Sequence, residues 1–328
     1  MNLNDLEQER KKVLLKTNVS RVVFSLIGIG IIIFFITIYN GPFGERGSFE
    51  NYVKNLEFIR FCLYLFVINS ILFMVYIANV LHIQYDYKKN YKREIIKPLI
   101  EEEFQNMKYE MDNYMKYEEF IKSCLFPQSE ENNRTVAGED YIYGKINDCN
   151  FKMSEMRYTT YENRQGNSKR IIILFSGLFL KLEVNKDFES KTVIRRKISV
   201  PLDKNTQRDE EEYISNLKLS KIDIENKEFN DIFHIYSSDK TKSLKILNKE
   251  TVDIILKMQK KFRNLKVSFI DNKIYMSISE ELELDDNMNL KKNNFFEPKL
   301  NVSVFDKNQL EEHIFIIEEL KSFINSIS

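Results

Sequence analysis

The sequence contains no tryptophan, only five prolines and three cysteines, and its charges cancel. Forty-nine basic residues face 49 acidic ones over 328 residues, which argues against a nucleic-acid-binding surface spread over the chain, so nucleic acid is not an expected partner. Cys62, Cys124 and Cys149 are odd in number and lack C-x-x-C spacing. This pattern disfavours a disulfide framework and a zinc ribbon, and it fits a reducing compartment.

Recognisable catalytic and metal-binding motifs are also missing from the sequence. His82, His234 and His313 lie at no metal-ligand spacing from one another or from a cysteine. The sequence has no P-loop, G-x-S-x-G, H-E-x-x-H or kinase signature. The acidic run 280–286 lacks the spacing and central glycine of a calcium-binding EF-hand loop. We therefore expect no cofactor, no metal and no enzymatic activity.

Two uncharged hydrophobic runs, 22–39 and 61–83, stand out near the N-terminus. The first spans roughly 27 Å as a helix, close to the hydrocarbon thickness of a bilayer. Residues 27–36 are apolar on every side, unlike the surface helix of a soluble domain, and no cleavage site of a signal peptide follows. The sequence predicts a transmembrane helical hairpin over 22–83, with spans 22–39 and 61–83 and a short external loop, 40–60.

Basic residues predict the orientation of this hairpin, because Lys and Arg next to a span are retained in the cytosol. Five precede the first span and five follow the second, against three in the loop: Arg10, Lys11, Lys12, Lys16, Arg21; Lys88, Lys89, Lys92, Arg93, Lys97; Arg46, Lys54, Arg60. Both termini, including the N-terminal segment 1–21, are expected on the cytosolic side. The composition is typical of a low-GC bacterium, so the expected location is the inner, or cytoplasmic, membrane.

Polar residues within the spans are few. Asn69 and Ser70, near the middle of the second span, are candidates for hydrogen bonds to a neighbouring helix in this chain or in a second copy. His82 is the one ionisable candidate, at the cytosolic edge, so a transport pathway is not expected. The basic cluster at 88–97 either touches anionic headgroups or acts only as a topology signal.

Beyond the spans, residues 84–127 are expected to form juxtamembrane helices. One is predicted at 94–104, kinked by Pro98, and another at 113–124. After a polar break the hydrophobic period becomes that of strands, predicted at 141–146, 151–160, 170–184, 192–200, 217–224, 232–236, 265–270 and 273–278. Residues 128–328 are therefore predicted to be a cytosolic α+β domain with a mainly antiparallel sheet and packed helices, a layout of pleckstrin-homology type being one expectation.

Turn and cap residues sharpen several of these predictions. Asp271 and Asn272 tolerate positive φ and predict a hairpin between the last two strands. Ser176 and Gly177 predict a bulge or bend within a long strand. Helix N-termini are predicted at Ser238-Asp239, at Asn248 and, for a C-terminal amphipathic helix, at Asp306 with Gln309 three positions on.

Several short motifs together resemble one known family. In order they are Ser123-Cys124-Leu125-Phe126, Gly138-Glu139-Asp140-Tyr141-Ile142-Tyr143-Gly144-Lys145-Ile146, Met153-Ser154-Glu155, Phe175-Ser176-Gly177-Leu178-Phe179, Tyr236-Ser237-Ser238-Asp239 and Val267-Ser268-Phe269-Ile270-Asp271. In order and spacing, over about 91–278, they resemble the bacterial membrane-anchored family catalogued as domain of unknown function 3137. The resemblance implies a membrane hairpin that carries a cytosolic domain, and it implies no activity.

Three functional hypotheses follow. The first is a non-catalytic cytosolic module that binds or regulates an unknown protein or lipid partner at the bilayer, with Asp140 and Glu155 as candidate contacts. The second is a homo-oligomeric membrane effector whose spans rearrange on a signal, motivated by Asn69 and Ser70. The third, least expected, is a membrane-tethered enzyme that uses the carboxylates of Asp140 and Glu155.

Overall fold

The chain divides into two compact units. The computed structural model describes residues 2–40, 49–104, 107–126, 134–147, 149–163, 169–197, 213–262, 264–279 and 295–327. The first unit, the hairpin unit, comprises Met1–Glu94 and Glu297–Leu310. The second, the sheet unit, comprises Ile95–Phe296 and Glu311–Ser328. A short C-terminal segment therefore folds with the N-terminal helices rather than with the sheet.

Two long helices build the hairpin unit: α1 (Leu3–Asn40) and α2 (Phe49–Tyr91). Both are much longer than the predicted spans. The predicted segment 1–21 is helical from Leu3 on, and α2 begins inside the predicted loop 40–60, because no Gly or Pro interrupts the sequence after Gly47. The four predicted turn formers, Gly41, Pro42, Gly44 and Gly47, lie outside the described residues.

Side chains join α1 and α2 at three points. Tyr76 Oη donates to the Lys16 carbonyl at 3.1 Å, and Gln84 Nε2 donates to Thr17 Oγ1 at 2.7 Å. Further along, Asn90 Nδ2 donates to the Glu9 carboxylate at 3.0 Å. These bonds fix the position of α1 relative to α2 along the helix axes, which we call the height along the hairpin.

Both helices are long and apolar enough to cross a membrane within their described parts. Only 11% of the most apolar window of α1 and 6% of that of α2 is buried. A core helix of a soluble protein buries most of its apolar surface, so these two helices do not have that character.

The chain leaves α2 through a π-helical turn (Lys92–Ile96) and a short helix, α3 (Lys97–Glu103). Pro98 lies in the first turn of α3, directly after the π-helical turn, so the irregular part of this helical stretch adjoins the proline. The helix predicted at 113–124 shortens to α4 (Tyr117–Ile121). The Met115 N–H donates to Ser154 Oγ at 2.8 Å instead of entering a helix.

The sheet unit contains one nine-stranded sheet in which every described strand pair is antiparallel. The strands are β1 (Lys108–Glu110), β2 (Arg134–Ile146), β3 (Cys149–Asn163), β4 (Lys169–Glu183), β5 (Thr192–Arg196), β6 (Ser220–Ile222), β7 (Phe233–Ser237), β8 (Asn264–Ile270) and β9 (Lys273–Ser279). Their spatial order is β1-β2-β3-β4-β9-β8-β5-β7-β6. The predicted mixed α and antiparallel β class is confirmed.

The described residues after β5 contain five helices: a helical turn, α5, at residues 213–216, then α6 (Lys227–Ile232), α7 (Lys240–Ile246), α8 (Lys249–Lys261) and α9 (Lys307–Ile327). The predicted caps are confirmed. Asp239 and Asn248 accept from Lys242 N and Thr251 N at 3.1 and 2.9 Å. Asp306 accepts from Gln309 N at 3.1 Å, and Asp271 has the predicted positive φ of 54° in the β8–β9 hairpin.

An aromatic cluster forms the core on one face of the sheet. The ring of Phe120, on α4, lies 4.9 Å from Phe126, 5.2 Å from Tyr158 and 4.7 Å from Phe179. Each buried aromatic side chain contributes about 1.5–3 kcal/mol by leaving water. The Ser123–Phe126 motif is thus part of the core, which holds the segment after α4 against the sheet.

Gly177 lies where two backbones approach each other closely. The register shift between β3 and β4 occurs between Tyr158 and Thr159, which leaves Leu174 out of the pairing, so the bulge precedes the predicted Ser176-Gly177 position. At Gly177 an added Cβ would meet the Ile278 carbonyl oxygen at 2.1 Å. The glycine is required by this contact with β9.

Replacing Gly177 with alanine is therefore expected to destabilise the sheet unit by about 2 kcal/mol or more, in the range of core overpacking. Chemical denaturation of the full chain in detergent, followed by far-UV circular dichroism, measures this. Gly28→Ala is the matched control, because its Cβ meets nothing within 4 Å. Equal stability of the Gly177→Ala chain and the parent would contradict the close approach.

Candidate functional site

Asp140, the first candidate contact, lies in a bulge of β2. The β2–β3 register shifts between Glu139 and Ile142, and Asp140 has a φ of 59° and no exposed surface. Its Oδ1 accepts from Tyr109 Oη at 2.5 Å, and its N–H donates to the Met111 carbonyl at 2.9 Å. Burial and the Asp140 carboxylate both raise the pKa of Tyr109. Asp140 thus fixes the segment around β1 to the bulge.

Glu155, the second candidate contact, lies on β3 opposite Glu139 and is 4% exposed. Its Oε2 accepts from the Phe295 N–H at 3.1 Å. The carbonyl oxygen of the same residue, Phe295, lies 2.9 Å from His313 Nδ1. The structure therefore places Asp140 and Glu155 on neighbouring strands but gives each carboxylate a different partner within the chain.

A second set of charges, which sequence reasoning did not single out, lies where α4 meets the sheet. Glu119 accepts from Lys152 Nζ at 2.7 Å and from Lys181 Nζ at 3.2 Å, and Lys181 also pairs with Glu183 at 2.8 Å. Burial opposes ionisation of Glu119, but the hydrogen bonds and charges of the two lysines outweigh it and lower its pKa. Glu119, Lys152 and Lys181 come from α4, β3 and β4, so no local spacing indicates that these three meet.

The most constrained polar arrangement of the hairpin unit is the stem clamp, formed by Glu7 and Arg10 of α1 with the backbone at Leu300 and Val304. Arg10 pairs with Glu7 through two hydrogen bonds, of 2.9 and 2.8 Å. Arg10 Nη1 also donates to the Leu300 carbonyl at 2.6 Å, and the Val304 N–H donates to Glu7 Oε2 at 3.1 Å. Both side chains are at most 10% exposed. The clamp holds residues 300–304 on α1.

The electrostatics of the clamp favour the charged form of Glu7. The hydrogen bond from Arg10 is the largest cause that lowers the pKa of Glu7 to about 2, against the effect of burial. The Val304 N–H and the charge of Arg10 add to the lowering. A carboxylate and a guanidinium in bidentate contact, with their remaining groups hydrogen-bonded, satisfy the conditions under which a buried ion pair is tolerated.

Residues of α2 hold the same C-terminal segment. Gln309 Nε2 donates to Tyr91 Oη at 2.7 Å, and Gln309 Oε1 accepts from the Lys299 N–H at 3.1 Å. Lys88 Nζ lies 2.5 Å from the Glu297 carboxylate. Segment 297–310 is therefore bonded to both helices of the hairpin. The i,i+3 spacing of Glu7 and Arg10 is the one sequence signal of this site, and it does not reveal partners about 290 residues away.

The two span-packing candidates, Asn69 and Ser70, are adjacent residues of α2. Ser70 Oγ donates to the Phe66 carbonyl of its own helix at 2.8 Å. The side chain of Asn69 is exposed on α2. The described contacts between α1 and α2 use other residues, such as Tyr76 and Gln84.

Replacing Arg10 with methionine is expected to release segment 297–310. The change leaves the Glu7 carboxylate buried without its cation, which costs about 3–5 kcal/mol for a buried pair. Hydrogen–deuterium exchange of the full chain should then show faster exchange of peptides that cover 299–306.

Lys11→Met is the matched control for this experiment. Lys11 also approaches Glu7, at 3.8 Å, but its side chain is 68% exposed, and such surface pairs contribute little. Equal exchange in the Arg10→Met and Lys11→Met chains would contradict the clamp.

Comparisons with known proteins give one family model and one solved structure. A search among curated proteins gives no match. The crystal structure of the mycobacterial trehalose monomycolate transport factor A, TtfA, is similar at 8% identity and a TM-score of 0.31, covering 68% of this chain and 89% of that one. The family model described as "Protein of unknown function (DUF3137)" matches residues 173–328. The match begins and ends later than the motif resemblance, which covers about 91–278. Residues 173–328, slightly less than half of the chain, are thus similar to the DUF3137 family.

Proposed function

We propose that this chain is a two-pass membrane protein whose hairpin anchors a non-catalytic binding or regulatory module on the cytosolic side of a bacterial cytoplasmic membrane. The observation that carries the proposal is the low burial of the apolar windows, 11% in α1 and 6% in α2. The lipid bilayer is then the first partner of the chain. A protein partner of the sheet unit is the second, and its identity is open.

The exposed apolar residues of the hairpin are large and numerous. On α1 and α2 they include Val22, Phe24, Leu26, Ile29, Phe66, Val67, Ile68, Ile71, Leu72, Met74 and Val75, each 49–71% exposed. Soluble monomers rarely expose a contiguous apolar surface of this kind, and a bilayer removes it from water without further protein. The basic residues flanking the spans support the orientation with both termini in the cytosol.

The sheet unit is the proposed module. Its layout of pleckstrin-homology type, in which a terminal helix packs on an antiparallel sheet, is supported by α9, where Ile317, Leu320 and Ile324 are fully buried. Asp140 and Glu155 enter the proposal as residues that hold neighbouring segments in place, since both are buried and bonded within the chain. We expect a partner to bind the surface whose shape these contacts fix.

A homo-oligomeric effector is the second candidate, favoured by the exposed Asn69 side chain within the uncharged run 61–83 of α2. In hydrocarbon an amide gains from a hydrogen bond across a helix interface. Replacing Asn69 with leucine should reduce the oligomer size of the purified chain, measured by light scattering in detergent. Ser70→Ala is the control, because it removes the neighbouring hydroxyl, which donates to the Phe66 carbonyl, and leaves the Asn69 amide in place. An unchanged size in the Asn69→Leu chain would remove this candidate.

Charges placed on the exposed apolar surface test the anchoring directly. The parent chain should remain in the membrane pellet after alkaline carbonate treatment. The double substitution Ile29→Lys and Ile71→Lys should shift a large fraction to the supernatant, because a lysine near mid-span costs about 2.5–3.5 kcal/mol. Leu244→Lys, at a half-exposed leucine of the sheet unit, is the control and should stay in the pellet. Release of the parent chain by carbonate would refute the anchor.

A further inference from the structure

An exposed apolar stripe on α1 begins well before the predicted first span. Leu15, Val19, Val22, Leu26 and Ile29 are 65, 43, 59, 62 and 53% exposed. Their spacing of three or four residues places them on one face of the helix, over roughly 21 Å. Since the predicted span begins at residue 22, the stripe continues about two turns further towards the N-terminus.

The stripe on α2 extends to a matching height. Leu81 and Tyr85 are 58 and 53% exposed. The bond between Thr17 and Gln84 places the α1 turn that includes Leu15 and Val19 beside this part of α2. Tyrosine favours the boundary between headgroups and acyl chains, because one end of its ring system is apolar and the other polar.

Both stripes end at pairs of lysines, Lys11-Lys12 on α1 and Lys88-Lys89 on α2. The Glu9–Asn90 hydrogen bond fixes these ends at the same height. Lys11 approaches Glu7 and Lys88 pairs with Glu297, whereas the Lys12 and Lys16 ammonium groups form no ion pair within the described part of the chain.

Acidic groups are scarce at this height of the hairpin. Between Lys11 and Arg21 of α1 there is no acidic residue. The stretch 81–89 of α2 contains one, Asp86, which lies 3.5 Å from His82. The surface at this height is therefore cationic and apolar together, which is complementary to an anionic phospholipid.

We propose that residues 12–21 of α1 and 81–89 of α2 lie in the headgroup layer and bind anionic phospholipid there. Lys12, Lys16 and Lys89 contact the phosphates, and Leu15 and Val19 contact the upper acyl chains. The two turns before residue 22 add roughly 10 Å to the span, which is enough to cross one headgroup layer of about 5–8 Å. This inference rests on the membrane anchoring proposed above.

The absence of tryptophan allows a direct test, because a single introduced tryptophan is the only one in the chain. Leu15→Trp, Leu26→Trp and Leu244→Trp are reconstituted as full chains in phosphatidylcholine vesicles that contain lipids brominated near the glycerol end of the acyl chain. Leu15→Trp and Leu26→Trp should be quenched, and Leu244→Trp, in the sheet unit, should not. Quenching of Leu26→Trp without that of Leu15→Trp overturns this inference alone. Absence of quenching in both overturns the membrane anchor as well.

The charge of the lipid is tested with the same reporter. At equal mole fraction, brominated phosphatidylglycerol should quench Leu15→Trp more than brominated phosphatidylcholine. In a Lys12→Gln, Lys16→Gln, Lys89→Gln background this preference should fall, by up to roughly five-fold per lysine.

A matched background of Lys245→Gln, Lys249→Gln and Lys260→Gln, which removes three lysines of the sheet unit, should keep the full preference. Equal quenching of Leu15→Trp by the two lipids, or equal loss of preference in both backgrounds, would overturn the assignment of the headgroup site.

Discussion

The bidentate pair of Glu7 and Arg10 removes two charges from water, which costs several kcal/mol per ion unless their hydrogen bonds are completed. The Leu300 carbonyl and the Val304 N–H complete them. The pair therefore depends on the C-terminal segment for its own stability, and the segment depends on the pair for its position. Helix α9 begins at Lys307, inside the held segment, so the start of this helix is set by the stem of the hairpin.

The region matched by the family model includes the segment that contacts the N-terminal helices. It covers residues 173–328 and so includes 297–310, which fold with the N-terminal helices. The matched region is thus not one self-contained body: residues 173–296 and 311–328 belong to the sheet unit, and the segment between them belongs to the hairpin unit. Segment 297–310, inside the matched region, therefore has the two N-terminal helices as its folding partner.

Local signals were sufficient wherever a few neighbouring residues decide the structure. The hydrophobic runs indicated both long helices, Asp239, Asn248 and Asp306 indicated helix starts, and Asp271 indicated the β8–β9 turn. Contacts between residues far apart in the sequence could not be predicted from it. Strand β1 exists because Tyr109 reaches Asp140 and pairs with β2, and the helix expected at 113–124 is shortened because Met115 bonds to Ser154. Of the candidate site residues, Asp140 and Glu155 were found as unusual acids within strand motifs, but their partners, Tyr109 and Phe295, follow only from the fold.

The central claim is that the stem of the hairpin holds segment 297–310. Zero-length carbodiimide crosslinking of the unmodified full chain tests it most directly. Lys88 and Glu297 are 2.5 Å apart, so the account predicts an amide bond between them, identified by mass spectrometry of the digested protein. Lys261 and Glu319, in contact within the sheet unit, are the internal standard. Recovery of the Lys261–Glu319 crosslink without the Lys88–Glu297 crosslink would contradict the account.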